Sequence, residues 1–248
     1  MTPPTLLLVH GIGSTRAFWD PILPLLRDFD CVAVDVPGFG DAPAIDAPVT
    51  VARLAAALDT ALNEPSLGPV VVIGHSLGGM IAQELALRAG DRVRGLVLCN
   101  TIPGVTEGAR EFNPVLADLA ESTGSAAVAD ALLPAMLGPK PLENTDRARE
   151  RFLADMRAAD PASLAAAFRA VVTFDARDRL PELSVRALVI AGEHEGDDAD
   201  QQELADLLDA HCVFLPGTSH LAPVESPTAF AAEAVPFLAR IRGPEGWK

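Results

Sequence analysis

Tyrosine is absent from the 248 residues, and aromatic side chains make up only 5% of them. Chemistry that needs a phenolic donor is thereby excluded. Basic residues are scarce too, with 19 Lys and Arg against 34 Asp and Glu and a net charge of −15 at pH 7. Such a charge repels phosphate backbones and anionic headgroups, and no Lys/Arg-rich block offsets it locally, so neither nucleic acid nor a membrane is expected as a partner. Long apolar runs are missing as well. Near the start the longest is Leu6 to Val9, well short of the ~7 to 15 residues of a secretory apolar stretch or the ~20 of a membrane span. A cytoplasmic protein is expected. Cysteine is limited to Cys31, Cys99 and Cys212, an odd, widely spaced set beside apolar runs that fits reduced, buried thiols rather than a disulfide framework or a zinc site.

What is present is a regular alternation. Six short runs are continuous, β-branched or leucine-rich: Thr5 to Val9, Cys31 to Asp35, Val70 to Ile73, Gly95 to Cys99, Ala187 to Ile190 and Cys212 to Leu215. Runs of this kind are buried on both faces, as in a parallel sheet. Between them lie helical spacings over Phe18 to Phe29, Thr50 to Asn63, Ser76 to Ala89, Asp200 to Ala210 and Pro227 to Ile241. The fold class expected is α/β, a doubly wound, mostly parallel sheet of about six strands. From about Pro103 to Leu183 the alternation stops, leaving an alanine-rich helical pattern broken by Pro114, Pro134, Pro139, Pro141 and Pro161. That stretch is too long for one structureless crossover. The division expected is a core of residues 1–103 and 184–248 with a helical cap inserted over 104–183. The tail Gly243 to Lys248 is expected to be dispensable.

One motif stands out. Val70-Val-Val-Ile-Gly74-His75-Ser76-Leu77-Gly78-Gly79 is a G-x-S-x-G with a strand pattern before it and a helix pattern after it. A nucleophile on so sharp a strand-to-helix turn needs small residues two positions either side, which Gly74 and Gly78 supply. The helix that follows aims its amino terminus at the reaction centre, so the Leu77 N–H is expected to donate to an oxyanion.

On these residues the chain resembles the α/β-hydrolase superfamily, in particular its capped esterases, lactonases and carbon–carbon hydrolases. Four more segments carry the resemblance. His10-Gly11-Ile12-Gly13 follows the first strand where the family has its oxyanion loop, implying the Ile12 N–H as second donor and a structural role for His10. Asp35-Val-Pro-Gly38-Phe-Gly40 resembles the turn after the next strand, with Asp35 bracing it. Gly217-Thr-Ser-His220 after the last strand resembles the catalytic histidine loop, implying His220 as general base ahead of His75, His194 and His211. The acid is expected after the strand ending at Ile190. There the family usually has Gly, two residues, then Asp; here that place holds Glu195, with Asp197 and then Asp198 as alternatives. The five carboxylates from Glu193 to Asp200 also admit a solvated loop or an adventitious cation, but no metal and no cofactor is expected. Family members usually begin with an antiparallel hairpin, whereas Thr5 already starts the oxyanion-loop strand; the sheet edge left open is compatible with a monomer or a homodimer.

Serine at position 76 separates this chain from the haloalkane dehalogenases and epoxide hydrolases, which resemble the fold but place aspartate there. Ser76 to Gln83 and Leu96 to Thr101 are similar to enol-lactone hydrolases, implying acyl transfer on a small ester or lactone. A carbon–carbon hydrolase or lyase, and a non-catalytic ligand-binding homologue, remain alternatives on the same residues. Specificity is expected in the cap, where Phe112, Met136, Phe152, Met156 and Phe168 form an apolar lining or else pack as core. Arg110, Arg151 and Arg169 are candidates to grip a carboxylate, or else solvated surface.

Overall fold

The computed structural model describes residues 4–62, 68–196 and 198–242. Six strands, β1 (Thr5–Val9), β2 (Cys31–Val34), β3 (Val70–His75), β4 (Val93–Cys99), β5 (Arg186–Gly192) and β6 (His211–Leu215), form one parallel sheet in the order β2-β1-β3-β4-β5-β6. Alternate residues serve opposite faces. Leu7, Val9, Val72 and Leu96 join one buried cluster, and Leu6, Leu8, Ile73 and Val97 join the other. Because both faces are covered, the strands read as largely apolar runs, with Arg94, Arg186 and His211 confined to their amino-terminal ends.

On the first face lie α1 (Val51–Leu62), α2 (Leu77–Ala89) and α7 (Asp198–Leu207), contributing Leu54, Ile81 and Leu204. On the second lies α9 (Pro227–Arg242), whose Phe230 and Leu238 meet Trp19, Ile22 and Leu26. The helix expected over Phe18 to Phe29 is instead two 3₁₀ turns, Arg16–Trp19 and Leu23–Leu26. The correction has a local cause: Pro21 and Pro24 lack N–H donors, and their rings collide with carbonyls one α-turn back. Tighter turns still bury Phe18, Trp19, Ile22 and Leu26. Of the three cysteines only Cys99 is buried; Cys31 and Cys212 are half-buried, at the outer strands.

Between β4 and β5 come α3 (Glu107–Thr123), α4 (Ser125–Met136), α5 (Thr145–Ala158) and α6 (Pro161–Val172). Their limits follow ordinary capping. The Thr106 hydroxyl accepts from Ala109 N–H at 3.2 Å, and the Asp160 carboxylate accepts from Ser163 N–H at 2.8 Å with Pro161 opening the helix. Pro114 and Pro134, read in the sequence as interruptions, lie inside α3 and α4. The helices lean on loops at the carboxyl ends of the strands: a side chain at Gly13 would strike Met156, and one at Gly38 would press on Ser163. A short helix, α8 (Ala222–Glu225), follows β6. The expected tail Gly243 to Lys248 lies outside the described residues, and no described helix is long and apolar enough to cross a membrane.

The strand order reverses at β1, since the chain goes from β1 outward to β2 and then back to β3 on the other side. Loops leaving β1 and β3 therefore part, and the crevice between them is where open α/β sheets bind ligands. His10 fixes one wall of it. Fully buried, it donates from Nδ1 to the Gly11 carbonyl at 2.8 Å and accepts from Val36 N–H at Nε2 at 2.9 Å, so the ring is neutral and ties two loops. Burial lowers its pKa to about 4. The unfolded chain thus binds a proton that the folded chain refuses, and stability falls as pH drops from 6.5 toward 4, by up to ~1.4 kcal/mol per pH unit for such a group. Urea midpoints measured between pH 7.5 and 4.5 should show this slope, shallower in His10→Gln; an equal slope in both proteins would remove His10 from the account.

Candidate active site

The tightest backbone packing surrounds Ser76. It stands between β3 and α2 with φ 54° and ψ −121°, a region L-residues rarely enter. A Cβ on Gly74 would come within 2.3 Å of the Gly78 carbonyl, and one on Gly78 within 2.1 Å of the Val9 carbonyl. Only glycine fits either place. Ser76 N–H donates to the Cys99 carbonyl at 2.9 Å and Ser76 C=O accepts from the Thr101 hydroxyl at 2.8 Å. The strained turn is thereby held from β4. Gly11 faces it closely enough that a Cβ would lie 3.0 Å from Ser76 Cβ.

His220, after β6, brings its Nδ1 to 2.6 Å from Glu195 Oε1, with the carboxylate side chain 8% exposed. Glu195 sits on a turn closed by its own N–H onto the Gly192 carbonyl. Its other oxygen accepts from Asn100 Nδ2, which also donates to the Ser219 carbonyl at 3.2 Å. Asn100 is buried at the end of β4 with φ 48°. His75 donates from Nε2 to the His220 carbonyl at 2.7 Å and stacks on Phe18 with centroids 4.6 Å apart. Burial, and then the neighbouring His220, lower its pKa to about 3, so it is a neutral spacer at working pH.

Ser76, Leu77, Ile12, Glu195 and His220 all border one cavity of about 340 Å³. Phe112, Met136, Phe152 and Phe168 border it as well, from α3, α4, α5 and α6. Of the arginines considered, Arg151 reaches the cavity but lies among Asp20 and Asp155, while Arg110 bonds the Val172 carbonyl and Arg169 pairs with Glu121 and Asp118 elsewhere. Asp198 opens α7 in an exposed position, His194 and His211 are exposed, and Asp197 lies outside the described residues. Among the described residues no group of three or more His, Cys, Asp and Glu converges as metal ligands do.

Asp35 accepts from Arg16 N–H at 2.6 Å and Asp41 N–H at 3.0 Å and pairs with the Arg16 guanidinium. Burial pushes its pKa up, but these donors and the cation outweigh it and hold the carboxyl below its ordinary value. It braces the loop from a distance.

Two bordering residues escape sequence reasoning. Asn100 gives no local signal, because its partners lie about a hundred residues away. Arg147, exposed on α5 and without a hydrogen-bond or ion-pair partner among the described residues, looks in sequence like any surface arginine.

Comparison with known proteins fits this geometry. A provisionally named carbamate hydrolase, RutD, from Variovorax paradoxus (strain S110) is 33% identical, the match spanning 96% of this chain and 92% of that protein. A thermophilic esterase from Thermogutta terrifontis superposes with a TM-score of 0.89 at 26% identity, covering 98% of this chain and 92% of that one. The enol-lactonase from Burkholderia xenovorans LB400 gives 0.87 at 26% identity, covering 96% and 92%. The profile of the alpha/beta hydrolase family matches residues 6–233. A match of that extent, on a parallel sheet whose third strand runs through a glycine-flanked serine into a helix, makes this chain a member of the alpha/beta hydrolase family.

Proposed function

We propose that the protein hydrolyses a carboxylic ester or lactone of a small molecule through an acyl-enzyme on Ser76. The observation that carries this reading is the 2.6 Å contact between His220 and Glu195, on the border of the cavity that Ser76 also borders. A serine hydroxyl is a weak nucleophile at neutral pH, and a histidine held in one tautomer by a carboxylate is the usual means of activating it.

His220 Nε2 takes the Ser76 proton as Oγ attacks the carbonyl carbon. The developing oxyanion is met by the Ile12 and Leu77 N–H groups, the second backed by the α2 amino terminus. Collapse breaks the bond to the leaving oxygen, which receives the proton from His220; a lactone stays attached through its acyl chain. Water then adds to the acyl carbon, giving its proton to His220, and Ser76 regains a proton as the acid departs. Glu195 stabilises the imidazolium in both halves without being protonated itself. No cofactor enters these steps.

Residues 104–183 serve as a cap whose Phe112, Met136, Phe152 and Phe168 select the acyl or alkyl part by apolar contact. The protein is read as cytoplasmic, a monomer or a homodimer.

A fluorophosphonate should add one equivalent of mass to the wild type, on the peptide carrying Ser76, and none to Ser76→Ala, which should also lose turnover of aryl esters and small lactones. Folded wild type that neither labels nor turns over would overturn the reading in favour of a binding protein, and cleavage of diketones with ester turnover absent would favour carbon–carbon hydrolysis. Glu195→Gln should lower kcat by about 10⁴-fold, the scale seen when a triad acid becomes an amide, while Asp197→Asn leaves it unchanged; the reverse order would move the acid to Asp197. Phe152→Ala should change the ratio of kcat/KM for long and short acyl esters by about tenfold or more. A loss of stability with that ratio unchanged would return Phe152 to core packing.

A further inference from the structure

Glu225, the last residue of α8, is fully buried, and no cation pairs with it among the described residues. A buried carboxylate without a counter-charge is costly, by several kcal/mol or more, unless donors surround it. Here they do, and they come from separate places. Gly138 N–H reaches both carboxylate oxygens at 3.0 and 3.1 Å, the Thr145 hydroxyl donates at 3.1 Å, and Ser219 N–H donates at 3.3 Å. Gly138 and Thr145 flank the connection between α4 and α5; Ser219 immediately precedes His220.

The same corner is stitched elsewhere. Leu221 N–H donates to the Met136 carbonyl at 2.9 Å, the Ser219 hydroxyl is 3.0 Å from the Ala135 carbonyl, and Asn144 N–H donates to the Glu225 carbonyl at 3.3 Å. Gly138 lies so close to Gly217 that a Cβ would fall 1.7 Å from its carbonyl oxygen. Ser219 is therefore held at every polar group it has: its N–H by Glu225, its carbonyl by Asn100 and the Ala222 N–H, and its one hydroxyl proton by the Ala135 carbonyl at 3.0 Å, with the His194 carbonyl beside it at 3.2 Å. A glutamine in place of Glu225 would turn one acceptor into a donor facing another donor.

We infer that Glu225 is a positioning residue: its carboxylate couples the docking of the α4–α5 connection to the aim of the His220 imidazole at Glu195. The role rests on the acyl-enzyme reading for its kinetic consequence, but the aim of the ring can be observed without turnover. If the connection and the histidine loop are one unit, loosening the connection loosens the base.

The test compares Glu225→Gln, Thr145→Val and, as a matched control, Glu84→Gln. Glu84 is a buried carboxylate on α2 paired with Arg179 away from the cavity. Thermal unfolding, kcat and KM for an aryl ester, the pH profile of kcat/KM and the NMR titration of the His220 ring are recorded for each. Glu225→Gln should lower kcat by about tenfold or more at little change in KM, as expected of a displaced catalytic group, and move the His220 titration to lower pH. Thr145→Val removes the donor to Glu225 and, within the same connection, the acceptor of the Leu142 N–H at 2.8 Å, but no charge, and should shift both in the same direction by less. Glu84→Gln should lose stability with kcat and the titration unchanged. A Glu225→Gln protein with wild-type kcat and titration overturns the proposal, as does a shift in Glu225→Gln with none in Thr145→Val, which would be a charge effect alone. Should Glu225→Gln fail to fold, an unaltered titration in Thr145→Val overturns it. A wild type without esterase turnover counts against the function and leaves the NMR comparison to decide this point.

Discussion

Backbone pressed against backbone at Gly74 and Gly78 is the constraint on which the rest of the site depends. Two glycines let α2 start directly over the end of β3, with the Val9 carbonyl of the neighbouring strand against the turn. Neither a bulkier residue nor a gentler turn leaves Ser76 at the edge of the crevice opened by the reversal of strand order. The strain at Ser76 is sustained by ladder contacts on both sides, Val9 opposite Gly74 and Cys99 opposite His75. Local conformational cost is offset by rigidity of the sheet, a common arrangement where a side chain must be aimed.

Around that fixed point the polar groups divide into two kinds. His10 and His75 are buried and neutral, used as hydrogen-bonding struts whose protonation would be unfavourable. Asp35, Glu195 and Glu225 are each met by N–H, hydroxyl or amide donors, some from the same loop and others from separate segments of the chain. The carboxylates fix the loops in space, and the neutral rings fill between them without adding charge. Function in this fold rests on loops, and these loops are bonded to one another through His10, Asp35, Glu195 and Glu225.

Much of this is legible in the sequence, for stated reasons. The strands declare themselves because a doubly covered sheet demands apolar side chains on both faces, and the turn at Ser76 declares itself because only glycine fits its flanks. Glu195 is singled out by the family resemblance, as the occupant of the place after Gly192 where the family usually has aspartate, and it is the residue that meets His220. The segment from Phe18 to Phe29 misleads: its apolar spacing is helical, but Pro21 and Pro24 withhold the donors an α-helix needs. Asn100 and two partners of Glu225, Gly138 and Thr145, are invisible for another reason. Each acts through residues far away in the chain, and a single sequence holds no record of which distant segments meet.

The arrangement around Trp19 has an optical consequence. With no tyrosine, the indole emission comes from Trp19 and from Trp247, which lies outside the described residues. Trp19 is buried and its indole N–H has no hydrogen-bond partner among the described residues, so emission blue-shifted from that of an exposed indole is the expected result. It stands edge-on to Phe18 at 4.9 Å, and Phe18 in turn stacks on His75, whose ring lies 5.0 Å from that of His220. The chain therefore carries a native fluorophore two rings removed from His220, in contact with the packing that holds it.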